Sequence, residues 1–418
     1  METSKQQDYI YSFDLTNPPA HTNVKVYNNA SDEYHIFNYN RAMIADENAL
    51  LRLYKSVICI KDNDNLQIRS IASPKSTPFD SFTKEHPLDE SIITTRLVEG
   101  TMINMFYHNE KWHIHTRGAV GGQYFYFRNQ YYADQFSNNR QISFYDMFME
   151  CLQAEEKEEL NDLAIIKCFS KSFVYSFVMQ HPDNHIVIPV ARPQLYLTHV
   201  FQVQQNNQVQ HIVDFMNHQE LTDLKSLNGL ILTPERLVND KDYDTMIQKY
   251  CNIQEDYKTV GLAFYNTKTG ERAVHKSESY VTMKSLRGNN PNLQYQYLAL
   301  RRADKIKEFL QYFPIYKKLF YKFYSQYRDF MKNVHQSYYK YYIKKTISHV
   351  SNKYMPHIYR IHHNVYLPSV NENKPKIITI AEVYKYFDDV DIGELLYALN
   401  YDGRQIEHER IVNTTTTL

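Results

Sequence analysis

RLVEGTMINMF, residues 96–106, runs directly into YHNEKWHIHTRG, residues 107–118. The pattern reads as the end of one strand, a tight turn at Glu99-Gly100, a second strand, and a third that closes at Arg117-Gly118. Such a layout frames a reactive side chain in a phosphate-handling pocket. Leu97 stands where that side chain is expected, and a leucine has no lone pair with which to react. The stretch is either an active site or the shell of one.

Outward from it, the same alternation continues. Residues 56–72, SVICIKDNDNLQIRSIA, read as a hairpin across an Asp/Asn turn, and SPKSTPFDSF at 73–82 as a Pro-bounded loop. SFYDMFMECLQAEEKEELNDL at 143–163 has helical spacing with Ser143 as N-cap. FVYSFVMQHPDNHIVI at 173–188 reads as a strand, and QLYLTHVFQVQQNNQVQHIV at 194–213 as a hairpin across QNNQ. PERLVNDKDYDTMIQKY at 234–250 reads as a helix, and TVGLAFYNTKTGERAVHKS at 259–277 as a hairpin turning at Thr269-Gly270. Residues 1–50 read as a variable lead-in.

The 418 residues are enough for two or three domains. Hydrophobic content of 43% with 22% charged residues is that of a folded chain. Four cysteines without CxxC spacing argue against a zinc ribbon and a disulfide framework, which fits a reducing compartment. No apolar run reaches the ~20 residues of a membrane span, so an intracellular, membrane-free protein is expected, cytoplasmic or virus-associated. His113 and His115, and His362 and His363, lack a third ligand nearby, so no metal site is assigned to them. No GxSxG elbow and no P-loop is present.

Lys plus Arg, at 47, balances Asp plus Glu, at 47, but the charge is segregated. Residues 291–350 carry twelve Lys/Arg and three Asp/Glu, a net of +9, so the remainder sums to −9. The same region is poor in Gly and rich in Tyr, with helical spacing split by Pro314. Its cations and aromatics interleave as in single-strand binders, though a Tyr/Phe core stripe beneath a solvated basic face has the same pattern. Residues 376–400 add a terminal helix pair. The expected organisation is a lead-in at 1–50, a mixed α/β domain at 51–285, a basic helical domain at 286–402, and a tail at 403–418.

Taken in order, five segments resemble the nucleotidyltransferase domain of ATP-dependent RNA ligases, in particular the branch of phage T4 RNA ligase 1. They are the 55–82 hairpin and loop, LVEGTMINMFYHNEKWHIHTRG, VYSFVMQHPDNHIVI, TVGLAF, and AVHKSESYVTMKSLRGN. VEGTMIN and LRGN are similar also to ligase-like proteins of large DNA viruses. The resemblance implies an α+β, ATP-grasp-like nucleotidyltransferase domain with mixed and antiparallel sheets, followed by an all-α domain. In that family a first-motif lysine attacks the α-phosphate of ATP, motif carboxylates engage ribose and Mg²⁺, and fifth-motif lysines contact phosphate.

Carried over position by position, Leu97 stands at the nucleophilic lysine, Ser176 and Val260 at the two carboxylates, and Val274 at the first fifth-motif lysine. Arg96 is no substitute, because guanidinium stays protonated. Lys55, Glu99, Gly100, Arg117, Gly118 and Lys276 are the remaining candidates for binding a nucleotide. Lys284, Arg287, Arg301, Arg302 and Lys305 are the candidates for nucleic-acid phosphates. Three readings stay open. One is a catalytically degenerate protein that binds RNA or another nucleic acid; the second is an ATP- and Mg²⁺-dependent ligase with Lys75 as relocated nucleophile; the third is a structural or virion assembly protein reusing the fold.

Overall fold

The structure, a computed structural model, describes residues 9–29, 32–43, 48–62, 65–123, 142–155, 157–184, 186–227, 229–251, 256–288, 290, 292–372 and 376–406. Most of the expected tail, including VNTTTTL, lies outside the described residues. The chain divides into two compact units, Met1–Arg287 and Gly288–Leu418.

The first unit is built on antiparallel sheets. Strands β1 (Tyr9–Ser12), β2 (Thr22–Asn29) and β3 (Asp32–Tyr39) arise from the segment read as a lead-in. The sequence hid them because β2 is largely exposed and follows a Pro-Pro loop. With β4 (Val57–Asp62) and β5 (Asn65–Ile71), strands β2 and β3 form a four-stranded sheet in the order β2-β3-β4-β5. Strands β6 (Ile92–Arg96), β13 (Arg236–Leu237), β14 (Gly261–Asn266) and β15 (Arg272–Lys276) form another, ordered β13-β6-β14-β15. The largest sheet runs β1-β11-β10-β9-β7-β8. Its strands are β7 (Thr101–His108), β8 (Lys111–His115), β9 (Phe173–Gln180), β10 (Gln194–Val203) and β11 (Gln208–Ile212), with β12 (Ile231–Leu232) parallel to β10.

Alternation explains the layers. Phe173, Tyr175, Phe177 and Met179 of β9 face a core shared with Ile103 and Met105 of β7 and with Met147 and Phe148 of the helix Phe144–Cys151. Val174, between them, faces a second core with Phe106, Tyr34, Phe37 and Ile58. Burying each such side chain contributes about 1.5–3 kcal/mol, which fixes the register of β9 against β7 and β10. The Phe144–Cys151 helix begins with the expected Ser143 cap, completed as a capping box by Asp146. It stops at Cys151, well before the end of its periodic pattern, and residues 234–242 are extended or turn rather than helix. The QNNQ hairpin turns through Asn206 and Asn207, both with positive φ.

In the second unit the 22-residue helix Lys317–Tyr338 presents Leu319, Phe320, Phe323, Tyr327, Phe330, Met331, Val334 and Tyr338 to the interior. Helices Leu293–Arg302, Met355–Ile361, Ile380–Asp389 and Ile392–Leu399 pack against this stripe or one another. The last two are capped by Thr379 and Asp391. Among the described residues no helix is long and apolar enough to cross a membrane.

Candidate functional site

The stretch at 96–106 is not a hairpin. Strand β6 belongs to the β14–β15 sheet and β7 to the large sheet, so residues 97–100 carry the chain from one sheet to the other. This crossover gathers the segments singled out by sequence. Leu97 N–H donates to the Gly261 carbonyl at 2.9 Å, and Gly261 is the register partner of Lys276. Gly261 has φ +145° and a Cβ there would lie 2.0 Å from the His275 carbonyl oxygen, so only glycine fits. Gly100 is equally constrained by contact, since its Cβ would lie 2.4 Å from the Met179 carbonyl oxygen. Sequence spacing marked Gly100 as part of a motif; the structure gives its reason as close packing against β9.

Glu99 is 7% exposed, and its carboxylate is fully engaged. It accepts from Val187 N–H at 3.1 Å, Ile188 N–H at 2.8 Å and the Tyr280 hydroxyl at 2.7 Å. These bonds tie the crossover to the 187–188 loop and to the helix Glu278–Arg287. Glu99 therefore acts as a tie holding the crossover, and Tyr280 is a partner that sequence spacing did not reveal. Burial and the nearby Glu99 carboxylate hold the Tyr280 phenol protonated.

Ser176 donates to Asn104 Oδ1 at 2.6 Å on the adjacent strand, and both are buried. Val260 is buried, and Val274 pairs with Ala263. These positions supply no charge. Around them stand cations. Lys55 Nζ lies 3.4 Å from Met102 Sδ on β7. Burial, then Arg272, Arg117 and Arg41, lower the Lys55 pKa from 10.5 to about 7. Arg117 is half-buried, lies 4.5 Å over the Tyr39 ring, and donates to the Tyr39 carbonyl. Gly118 follows it in the loop after β8. Lys276 is exposed at the end of β15; burial of its ammonium and the Lys284 charge lower its pKa, with Glu99 opposing.

A Mg²⁺ ion takes oxygen ligands, mainly carboxylates and phosphates. Ser176 and Val260 supply no carboxylate, and that of Glu99 is saturated by three donors. The residues present do not fit a resident magnesium ion. They do fit an anion: the cluster is cationic, with a lysine amine held near neutrality.

The other sequence candidates fall elsewhere. Lys75 lines a cavity with Arg52, His199, His211 and Arg272, whose lining includes neither Leu97 nor Glu99. Arg287 is buried at the end of the first unit, and Lys284 lies 5.7 Å from the Tyr280 ring centroid. In the second unit Arg301 pairs with Asp388 at 3.2 Å and stacks on Tyr327 at 4.1 Å. Arg302 donates to the carbonyls of Phe387 and Val390, at the end of a helix. Both arginines thus hold helices together, as a buried-stem reading of the pattern allows. Lys305 is exposed.

Sequence patterning did not isolate a stripe on the helix Lys317–Tyr338. Lys317, Tyr321, Tyr324 and Arg328 recur at helical spacing opposite the core. Tyr321 is 69% and Tyr324 47% exposed, their rings 6.4 Å apart, and Arg328 lies 5.8 Å from the Tyr324 ring. Lys318 and Lys322 flank the stripe.

No family model and no curated protein sequence matches the chain. Solved structures do show likenesses. An archaeal ATP-dependent RNA ligase is 12% identical over 66% of this chain and 61% of that one, with a TM-score of 0.37. A putative ATP-dependent DNA ligase from Aquifex aeolicus is 10% identical over 71% and 68%, with a TM-score of 0.36. Naegleria gruberi RNA ligase with PPi is 8% identical over 51% of this chain, with a TM-score of 0.33. The chain spans 51% and 58% of the two Naegleria gruberi ligase chains first matched. At these scores the fold of this chain stands on its own strand pairing.

Proposed function

We propose that this chain is a degenerate nucleotidyltransferase-type domain joined to a helical nucleic-acid-binding unit, one that holds phosphate-bearing ligands without forming a covalent adenylate. One observation carries the reading: Lys55 against Met102, with Arg117 near it, and Lys276 near Glu99 bring positive charge to the crossover, while Leu97, Ser176 and Val260 put neither amine nor carboxylate at the motif positions. A cationic site of this kind attracts a polyphosphate and cannot transfer it. ATP is the expected nucleotide, bound without a required Mg²⁺. In the helical unit, the Tyr321–Tyr324 pair within a row of lysines supports binding of single-stranded RNA, with rings stacking on bases and ammonium groups meeting phosphates. The test is filter binding of labelled ATP and of a single-stranded RNA to the full chain, with and without EDTA. Saturable, EDTA-insensitive ATP binding that weakens in Arg117→Ala and Lys276→Ala is expected; ATP retention that needs a divalent ion would sink the reading.

A second reading is favoured by a specific observation. A lysine nucleophile needs a depressed pKa, and Lys55 has one, next to β7. If the chain adenylates itself, Lys55 is the amine to test beside Lys75. Replacing each separately assigns any adduct.

A further inference from the structure

A cavity of about 230 Å³ lies within the first unit, between the helix Ala49–Leu53, the 73–77 loop, β10, β11 and the β14–β15 turn. Its charged lining is Arg52, Lys75, Arg272 and Glu271. Glu271 is already occupied, with His86 Nε2 at 2.5 Å and Thr269 Oγ1 at 3.4 Å. The lining thus carries three cations against this one carboxylate.

Arg52 is only 7% exposed, yet its Nε has no hydrogen-bond partner and its Nη1 reaches only Thr77 Oγ1 at 3.3 Å. The Nε of Arg272 is also buried without a partner. His211, 5% exposed, leaves Nδ1 unpaired on the same wall. Burial and the Arg272 charge lower its pKa to about 3, so the ring is neutral. His199 is bonded to Ser73 Oγ at 3.1 Å and is likewise held neutral by burial. A buried guanidinium Nε–H without an acceptor is costly, and an anion in the cavity offsets that cost.

We propose that this cavity is a binding site for a phosphomonoester group, with Arg52, Lys75 and Arg272 as its ligands and His211 as a further donor. Guanidinium forks match phosphate oxygens in pairs, and three cations suit a dianion better than a carboxylate. The volume exceeds what the anion alone requires but is small beside ordinary ligand pockets, leaving room for a compact ester partner against Tyr9 and Tyr265. The proposal stands whether or not the crossover cluster around Leu97 binds a nucleotide.

Isothermal titration of the full chain with inorganic phosphate, and separately with AMP, tests it. Lys111→Gln, at an exposed lysine outside the cavity lining, is expected to bind phosphate like wild type, and Lys276→Gln is made beside it to report any part of the signal that comes from the crossover cluster. Arg272→Gln and Lys75→Gln are each expected to bind at least about tenfold more weakly, the effect of one lost charge-assisted hydrogen bond. Lys75 is only partly buried, so its variant keeps the test open if Arg272→Gln does not fold. AMP binding more tightly than phosphate assigns the site to a nucleotide end, and equal affinity assigns it to free phosphate; either supports the proposal. Absence of binding to wild type, undiminished binding in both cavity variants, or loss confined to Lys276→Gln would overturn it.

Discussion

Replacing Lys55 by methionine should make the protein more stable, and by an amount that depends on pH. Lys55 is desolvated among Arg272, Arg117 and Arg41, which lowers its pKa from 10.5 to about 7. In the unfolded chain the amine keeps its ordinary value. Between pH 7 and 10.5 the unfolded state therefore binds a proton that the folded state does not, and wild-type stability rises with pH through this window. Below pH 7 both states carry the charge and the folded state bears its full cost. At about 1.4 kcal/mol per pH unit that cost has a ceiling of about 5 kcal/mol. Methionine keeps most of the aliphatic stem and carries no charge. We expect Lys55→Met to gain about 2–3 kcal/mol at pH 6, allowing for relaxation of the protein around the buried amine, and to gain progressively less as pH approaches 10. Urea unfolding of both proteins at several pH values measures it. A variant less stable than wild type at pH 6, or a difference that does not change with pH, would refute the claim of an uncompensated cationic cluster.

Other expectations follow from the same geometry. Because free Lys55 is charged only below about pH 7, affinity for an anionic nucleotide should fall as pH rises from 6 to 8.5, and this fall should vanish in Lys55→Met; titration calorimetry across that range decides it. Glu99→Gln removes the charge that accepts from Val187, Ile188 and Tyr280, and should cost about 1–3 kcal/mol of unfolding free energy without creating or abolishing metal dependence. Tyr321→Ala with Tyr324→Ala should weaken single-stranded RNA binding by about 1–3 kcal/mol per stacked base while leaving its salt dependence unchanged; a changed salt slope with unchanged affinity would contradict stacking.

Much of the fold was legible because strand alternation and turn residues are local. The hairpins at 57–71, 194–212 and 261–276 and the Ser143 cap follow from short-range chemistry. The sheet to which each strand belongs is not local. β6 and β7 are contiguous in sequence, yet they enter different sheets, so the supposed hairpin turn is a crossover. Of the strands at 9–39, the edge strand β2 was missed because an exposed strand alternates weakly, and β1 and β3 flank it in the segment read as a lead-in. Of the positions singled out in the sequence, Leu97 and Lys276 come together through Gly261, which bonds the one and is the register partner of the other. The bonding of individual charges was not legible. Nothing in the sequence indicates that Glu99 is spent on two backbone N–H groups and Tyr280, or that Arg301 and Arg302 are engaged within the helical unit. Those outcomes depend on loops brought together from almost 90 residues away in the case of Ile188 and 181 residues away in the case of Tyr280.

The central claim is that the crossover binds phosphate but has no amine positioned at residue 97 to capture it. Incubating the full chain with α-labelled ATP and Mg²⁺ or Mn²⁺, then resolving the denatured protein by gel and intact mass, tests this most directly. The account predicts no covalent label and an unshifted mass at ATP concentrations that saturate non-covalent binding. A stoichiometric, acid-labile AMP adduct that disappears in Lys55→Met or Lys75→Gln would contradict it.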